Sequence, residues 1–200
     1  AGEAAGGLRV LAAPPGSEHA AACLAALGQT AALDEFASGP EVAVADCGRL
    51  DTASPARWAA ARAGVLLILT RPCASDLAHL DGGLGWLTQT SGRIALLIAP
   101  RSVGASSWPA YPAAEISAEL GLPVLASIPS DPQAVAGLIH GQGNAGRARG
   151  RPLPRTAAGL AGTLAGILTG SVPAGPAPAP HPPAGSRLAA RGVTARDTGR

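Results

Sequence analysis

Short apolar runs alternate along the chain with stretches in which Ala and Leu recur at helical spacing. Continuous apolar runs are typical of strands that are buried on both faces of a sheet. Because strands and helices alternate, the pattern predicts an α/β fold, with a mostly parallel sheet and helices on both of its faces. The predicted strands are residues 8–13, 41–46, 64–70, 93–100 and 123–129, and the predicted helices are residues 17–28, 55–62, 75–90, 111–120, 131–140 and 156–169.

The composition indicates one aliphatic core followed by a distinct tail. With 47% hydrophobic and 14% charged residues, a 200-residue chain can bury a sizeable core, and with 2% aromatic residues that core must consist of Leu, Ala, Val and Ile. The longest apolar runs fall far short of the roughly 20 helical residues that cross a bilayer, so we expect a soluble protein. From residue 171 onward Pro, Ala and Gly dominate, which predicts a disordered tail over residues 171–200.

Charge and cysteine content argue against several classes of protein. The formal net charge is +2, too small to indicate nucleic-acid binding by the whole chain, and all 15 basic residues are Arg because the sequence contains no Lys. Cys23, Cys47 and Cys73 form no C-x-x-C pair, which favours reduced thiols in a cytoplasmic protein over disulfides or a zinc site. The sequence also lacks Met and a secretion signal at its start, so we expect a processed, truncated or partial chain.

One carboxylate follows a predicted strand at the edge where parallel sheets bind ligands, beyond the carboxyl ends of their strands. Asp46 closes the predicted strand at residues 41–46, and Gly48 follows it. A carboxylate there, followed by a Gly that lets the chain approach a ligand closely, is the Walker B arrangement in which Asp holds Mg²⁺ through water. The alternative is an Asp that caps the next turn, and the spacing leaves both interpretations open.

Other candidate signals are weaker. Arg71 could approach an anion at the same edge, or it could be a solvated loop residue. Residues 141–146, GQGNAG, match G-x-G-x-x-G by letter, but a predicted helix precedes them and two prolines follow, so we interpret them as a flexible loop. The Arg-rich residues 147–155 allow contact with a phosphate backbone, yet the lack of interleaved aromatic residues favours a solvated loop. The four His are scattered and Ser130 has no base nearby in sequence, so neither a metal site nor nucleophilic catalysis is indicated.

The order of these segments resembles that of a known family. LRVLAAPP is followed by VAVADCGRLD, VLLILTRPCASDLAHL, YPAAEISAELGLPVLASIPSDPQAVAGL and PLPRTAAGLAGTL. Over residues 8–168 this series is similar to the later two-thirds of MinD/ParA-type P-loop ATPases, and more narrowly to divergent MinD-like proteins of actinobacteria. The most specific part is the block E-I-x-x-x-L-G-x-P-V-L-x-x-I-P-x-D, which begins at Glu115 and ends at Asp131.

The resemblance implies a site for ATP and Mg²⁺ with four positions in this chain. Asp46 matches the carboxylate that holds Mg²⁺ through water in the family, where it serves hydrolysis. Gly48 matches the switch II glycine near the γ-phosphate. Pro129 and Asp131 match a Pro-x-Asp loop that lies against the adenine base. The family's three-layer P-loop NTPase fold agrees with the α/β prediction made from the pattern.

The chain departs from the family at two places. The family binds phosphates with a Gly-rich loop, G-x-x-x-x-G-K-[ST], and neither that loop nor any Lys occurs here. Pro100 and Arg101 stand where the family uses an Asn to read adenine. We therefore expect residues 1–170 to be a MinD/ParA-like ATPase domain that lacks the P-loop strand, is incomplete at its N-terminus and does not hydrolyse ATP alone.

Two functions follow as expectations. By resemblance, ATP joins two subunits into a nucleotide-dependent homodimer and hydrolysis releases them, so that the protein positions chromosomes, septa or secretion machinery in the cytoplasm. The alternative is a pseudo-ATPase, a non-catalytic scaffold that binds protein partners. DNA binding has support only from the Arg-rich segments. The predicted helix at residues 156–169 is uncharged, which gives no basis for a membrane anchor.

Overall fold

The structure is a computed structural model that describes residues 2–4, 8–30, 42–100, 110–139 and 150–171. It has an α/β architecture, and the chain divides into two compact units, Ala1–Ala63 and Gly64–Arg200. No helix among the described residues is both long enough and apolar enough to cross a bilayer. The predicted tail from residue 172 onward, the glycine-rich residues 141–146 and Arg101 lie outside the described residues.

The unit Ala1–Ala63 contains a short antiparallel hairpin and two helices. The indole N–H of Trp58 donates a hydrogen bond to the Leu24 carbonyl at 3.0 Å and so ties the two helices together. Gly28 lies against the same ring, where an added Cβ would stand 2.5 Å from Cδ1 of Trp58. The strands of the hairpin are β1 (Gly2–Ala4) and β2 (Leu8–Val10), and the helices are α1 (Ser17–Leu27) and α2 (Arg57–Arg62).

The strand prediction for residues 41–46 is wrong for the described part of that run. Residues 42–50 form neither strand nor helix, and the side chain of Val44 is 90% exposed. A strand is stabilised by hydrogen bonds to a neighbour and by burial of its side chains, and an apolar run in sequence specifies neither partner. The predicted strand at residues 8–13 is shorter than expected, and its β2 portion pairs with β1 in the antiparallel sense.

A three-stranded parallel sheet forms the centre of the unit Gly64–Arg200, and its strands confirm three of the predictions. The central strand pairs in register with one neighbour, Leu66 opposite Ile94 and Thr70 opposite Ile98. Its pairing with the other neighbour shifts by one residue between Leu96 and Leu97. In spatial order the strands are β3 (Leu66–Thr70), β4 (Ile94–Ile98) and β5 (Val124–Ser127).

Helices follow each strand, as parallel pairing requires, because a parallel connection must carry the chain back along the sheet. Helix α3 buries Leu77, Leu80, Leu84 and Leu87, whose spacing of three and four residues places them on one face. The helices of this unit are α3 (Ala74–Thr90), α4 (Ala113–Leu120), α5 (Pro132–Ile139) and α6 (Pro152–Leu168). The side chains with the least exposure are Leu77, Leu84, Leu96, Ile116, Leu120 and Leu122.

Helix α6 begins four residues earlier than the predicted start at residue 156. Pro152 and Pro154 lie in its first turn, where backbone N–H groups have no partner within the helix and proline is tolerated. The two prolines therefore start the helix rather than interrupt a loop. At the other end, Arg93 donates from Nη1 to the Ile167 carbonyl at 3.3 Å. An added Cβ on Gly64 would stand 2.8 Å from Cδ2 of Leu168, so this end of α6 packs closely on the body of the unit.

The burial pattern predicts that Leu84→Ala destabilises the Gly64–Arg200 unit. Leu84 is 0% exposed, so truncation removes buried methyl groups and leaves a cavity, at a cost of about 2–5 kcal/mol in the free energy of unfolding. Leu138→Ala is the control, because Leu138 is 73% exposed on α5 and its truncation should change that free energy by less than about 0.5 kcal/mol. Urea unfolding measures both, and equal effects would contradict the described packing.

Candidate functional site

The loop between β5 and α5 lies at the carboxyl edge of the parallel sheet. Backbone hydrogen bonds extend the ladder to this edge, since the Ile128 amide donates to the Ile98 carbonyl at 2.8 Å. The loop then passes through Pro129 and Ser130 to Asp131, which directly precedes α5. Pro129 is half-buried and Ser130 is exposed, whereas Asp131 is 5% exposed. The loop thus presents its tip to solvent and buries its carboxylate.

Asp131 acts as the N-cap of α5. Its Oδ1 accepts a hydrogen bond at 3.1 Å from the amide of Ala134, the donor position that N-cap side chains satisfy. The sequence Asp131–Pro132 predicts a helix start, and this contact confirms it. Pro132 occupies the first helical position, where its fixed φ suits the helix.

The guanidinium of Arg151 holds the same carboxylate from the start of α6. Its Nε lies 2.9 Å from Oδ1 and 3.2 Å from Oδ2 of Asp131, and its Nη2 also donates to Oδ1. Its Nη1 donates to Oε1 of Gln133 at 2.9 Å. The amide of Leu153 donates to Oδ2 of Asp131 at 3.5 Å. Both oxygens of Asp131 are therefore engaged by groups of the protein itself.

These contacts shift the pKa values of both partners. The hydrogen bonds from Arg151 lower the pKa of the Asp131 carboxyl below its ordinary value, and the amides of Ala134 and Leu153 lower it further, against the opposing effect of burial. The pKa of Arg151 is raised, chiefly by its hydrogen bonds to Asp131. The pair is charged at neutral pH, with the Asp131 side chain 2% exposed and the Arg151 side chain 35% exposed.

Asp46 and Gly48 share a tight turn in the other unit. The amide of Gly48 donates to Oδ1 of Asp46 at 2.9 Å, and Gly48 has a φ of 59°, a left-handed conformation that glycine adopts without strain. Both residues are exposed. Asp46 therefore caps a turn, which was one of its two sequence interpretations. Among the described residues, no donor contacts its Oδ2.

Arg71 forms an ion pair at the start of α3, a contact that neither of its sequence interpretations included. Its Nε lies 2.6 Å from Oδ2 of Asp76 and its Nη2 lies 2.9 Å from Oδ1. Ser75 also donates to Asp76, at 3.4 Å. The hydrogen bonds from Arg71 lower the pKa of Asp76. Arg71 is therefore partly neutralised, although its side chain is 55% exposed.

No sequence pattern indicated the contact between Arg151 and Asp131. Arg151 belongs to the Arg-rich residues 147–155, which contain no aromatic residue and were therefore interpreted as a solvated loop. For Arg151 that interpretation is wrong, because its guanidinium binds Asp131. The two partners are 20 residues apart. What they share in sequence is a Pro at the next position, which marks two helix starts but does not indicate that the starts are adjacent.

The described residues offer incomplete chemistry for ATP and Mg²⁺. Within the described ranges, no group of three or more His, Cys, Asp or Glu side chains is placed to hold a metal ion. Asp46 can supply one carboxylate oxygen, which suits Mg²⁺ that takes its other ligands from water and phosphate. The sequence supplies no Lys and no G-x-x-x-x-G-K-[ST] loop for the phosphates, so these residues do not form an ATP site by themselves.

Three comparisons with known proteins identified no relative of this chain. No protein-family model, no curated protein and no solved structure matches this chain.

The ion pair predicts how stability changes with pH. Because the folded-state pKa of Asp131 lies below its unfolded value of about 3.9, the pair stabilises the fold fully above that pH and loses its effect as the pH falls through the folded-state pKa. We expect Arg151→Gln to lower the melting temperature most at pH 5–7 and least near pH 2. Thermal unfolding followed by circular dichroism measures this.

Asp131→Asn provides the matched control, since the Asn side chain keeps an acceptor for the Ala134 amide but carries no charge. It should remove the same pH-dependent difference, and Arg151→Gln added to it should cost little more. A melting temperature gap between wild type and Arg151→Gln that is constant from pH 2 to pH 7 would contradict the assigned pair.

Proposed function

We propose that the chain is part of a MinD/ParA-like ATPase, which uses Mg-ATP binding and hydrolysis for spatial positioning of chromosomes, septa or secretion and pilus machinery. The observation that carries the proposal is the conformation of its most specific block, residues 115–131. That block runs through α4, a Gly121 with a left-handed φ of 64°, strand β5 and the Asp131 cap of α5. Ile116 and Leu120 are buried, Gly121 makes the turn and Asp131 caps α5, so these motif positions have a physical use in a helix–turn–strand–loop unit.

In this proposal the site residues have separate tasks. Asp46 holds Mg²⁺ through water with Oδ2, for which the described residues supply no donor, and Gly48 lies near the terminal phosphate. Pro129 and Ser130 present the accessible part of the loop to the adenine base. Asp131 holds that loop in place, because its carboxylate accepts hydrogen bonds from Arg151 and from the Ala134 amide.

The phosphate-binding loop of the proposed protein is not among these 200 residues. Phosphate recognition in P-loop proteins depends on a Lys and on a Gly-rich loop of backbone N–H groups, and the sequence contains neither. The 200 residues alone are therefore expected to show no ATP hydrolysis above the uncatalysed background. The full protein would act in the cytoplasm as a nucleotide-dependent homodimer.

A non-catalytic scaffold that binds protein partners is the second candidate. Two observations favour it, namely the absence of Lys from the sequence and the use of the Asp131 carboxylate in an internal ion pair. Such a scaffold would keep the α/β fold without needing a nucleotide.

Mg-dependent ATP binding by the product of the complete reading frame tests the proposal. Asp46→Ala should weaken that binding by about 10- to 100-fold, the range typical for a residue that orients a metal through an intervening ligand. Isothermal titration calorimetry with and without Mg²⁺ measures the effect.

Asp51→Ala is the control for this experiment. Asp51 is exposed five residues further along the same segment and accepts a hydrogen bond from the Ala53 amide at 2.8 Å, so its loss disturbs a comparable turn. Wild-type affinity is expected for this variant. No ATP binding by the full product, or equal losses in both variants, would favour the scaffold.

A further inference from the structure

We propose that Arg151 is a positioning residue that fixes the β5–α5 loop and couples it to the docking of α6. The proposal that this loop carries a ligand rests on the function proposed above. The coupling itself rests on the contacts of Arg151, which join two helix starts through one carboxylate.

Asp131 belongs to the β5–α5 loop and contacts the starts of both α5 and α6. Its Oδ1 caps α5 through the amide of Ala134, and its Oδ2 accepts from the amide of Leu153 in the first turn of α6. The Asp131 side chain is 2% exposed while α6 is docked. Displacement of α6 would remove the donors Arg151 and Leu153 from this carboxylate, and would leave the Ala134 amide as its remaining described donor.

Arg151 is the charged side chain that joins Asp131 to the start of α6. Its planar guanidinium donates from Nε and Nη2 to the carboxylate while Nη1 reaches Gln133 on α5. A Lys carries one compact charge and cannot reproduce this fork. The arrangement depends on guanidinium geometry as well as on charge.

The β5–α5 loop is also held at its other end, where it leaves the sheet. The Ile128 amide is bonded to the Ile98 carbonyl at the end of the sheet, three residues before Asp131. Two fixed points, Ile128 and Asp131, leave Pro129 and Ser130 as the part of the loop that a ligand can reach. A ligand that binds this tip and the docking of α6 then stabilise each other, because such coupling is reciprocal.

Amide hydrogen exchange of the full-length protein, followed by NMR, tests the positioning role without any ligand. Arg151→Gln should speed exchange at the amides of Ala134 and Leu153 by about tenfold or more, and leave the amide of Leu96 in the sheet unchanged. Arg151→Lys should give an intermediate rate. Arg155→Gln, at an exposed position one turn further along α6, should match wild type.

Two outcomes of the exchange experiment would overturn the proposal. Unchanged exchange at Ala134 in Arg151→Gln would show that Arg151 does not hold the cap. Faster exchange at Leu96 by the same factor would show that Arg151 contributes to overall stability and has no specific effect on the loop.

A second measurement tests whether Arg151 affects nucleotide binding at the β5–α5 loop. In the full-length protein, Arg151→Gln should raise the Kd for Mg-ADP and Arg155→Gln should not. An unchanged Kd in Arg151→Gln would overturn the coupling to the ligand. If the wild-type protein binds no Mg-ADP, the proposed function fails, and the exchange rates still decide whether Arg151 positions the loop.

Discussion

Burial of strand β4 is the constraint on which the Gly64–Arg200 unit depends. The strand is paired on both edges, and its residues Ile94, Ala95, Leu96 and Ile98 are each 6% exposed or less. Both neighbours run parallel to it, so each connection must return along the sheet and supply a helix or loop that covers a face. The leucine face of α3 and the Ile116 and Leu120 pair of α4 meet this requirement.

A consequence of parallel pairing is that the carboxyl ends of β3, β4 and β5 share one edge. The segments that leave this edge are held by polar contacts rather than by packing alone: Arg71 with Asp76 after β3, and Asp131 with Arg151 after β5. The two pairs differ in burial, because Asp76 keeps 25% of its side chain exposed and Asp131 keeps 2%. Exposed pairs add little to stability, whereas loss of one partner from a buried pair leaves an uncompensated charge. The contact with Arg151 is therefore the one expected to control the geometry of its loop.

Local sequence patterns predicted the strands and helices of this protein better than they predicted which elements pair or pack together. The apolar runs that became β3, β4 and β5 were identifiable as continuous hydrophobic segments, although only β4 is buried along most of its length. The leucine spacing of α3 identified its inner face. The run at residues 41–46 has a similar composition, yet Val42 and Val44 are 65% and 90% exposed, because strand formation depends on a neighbour that composition does not specify. Likewise, proline disrupts the interior of a helix but is tolerated in its first turn, so the effect of Pro152 and Pro154 depends on where the helix begins.

In the candidate site, too, local contacts were predictable from sequence and a long-range contact was not. The sequence patterns and the family resemblance predicted Asp46, Gly48, Pro129 and Asp131 as site residues. Local rules also allowed the turn at Asp46 and the helix cap at Asp131, which the structure shows. Arg151 was missed, because its contact spans 20 residues and depends on how two helices dock. Its guanidinium engages the carboxylate of Asp131, the group that the resemblance placed against adenine. Residue identity alone does not reveal this contact.

The function proposed above requires that the Asp46 turn and the tip of the β5–α5 loop each contact the nucleotide. Titration of Mg-ATP into the isotopically labelled full-length protein, monitored by NMR, tests it most directly. Saturable changes are expected in the amide resonances of Gly48 and Ser130, and the change at Gly48 should depend on Mg²⁺. Absence of change at both amides, at ATP concentrations that saturate known P-loop sites, would contradict it.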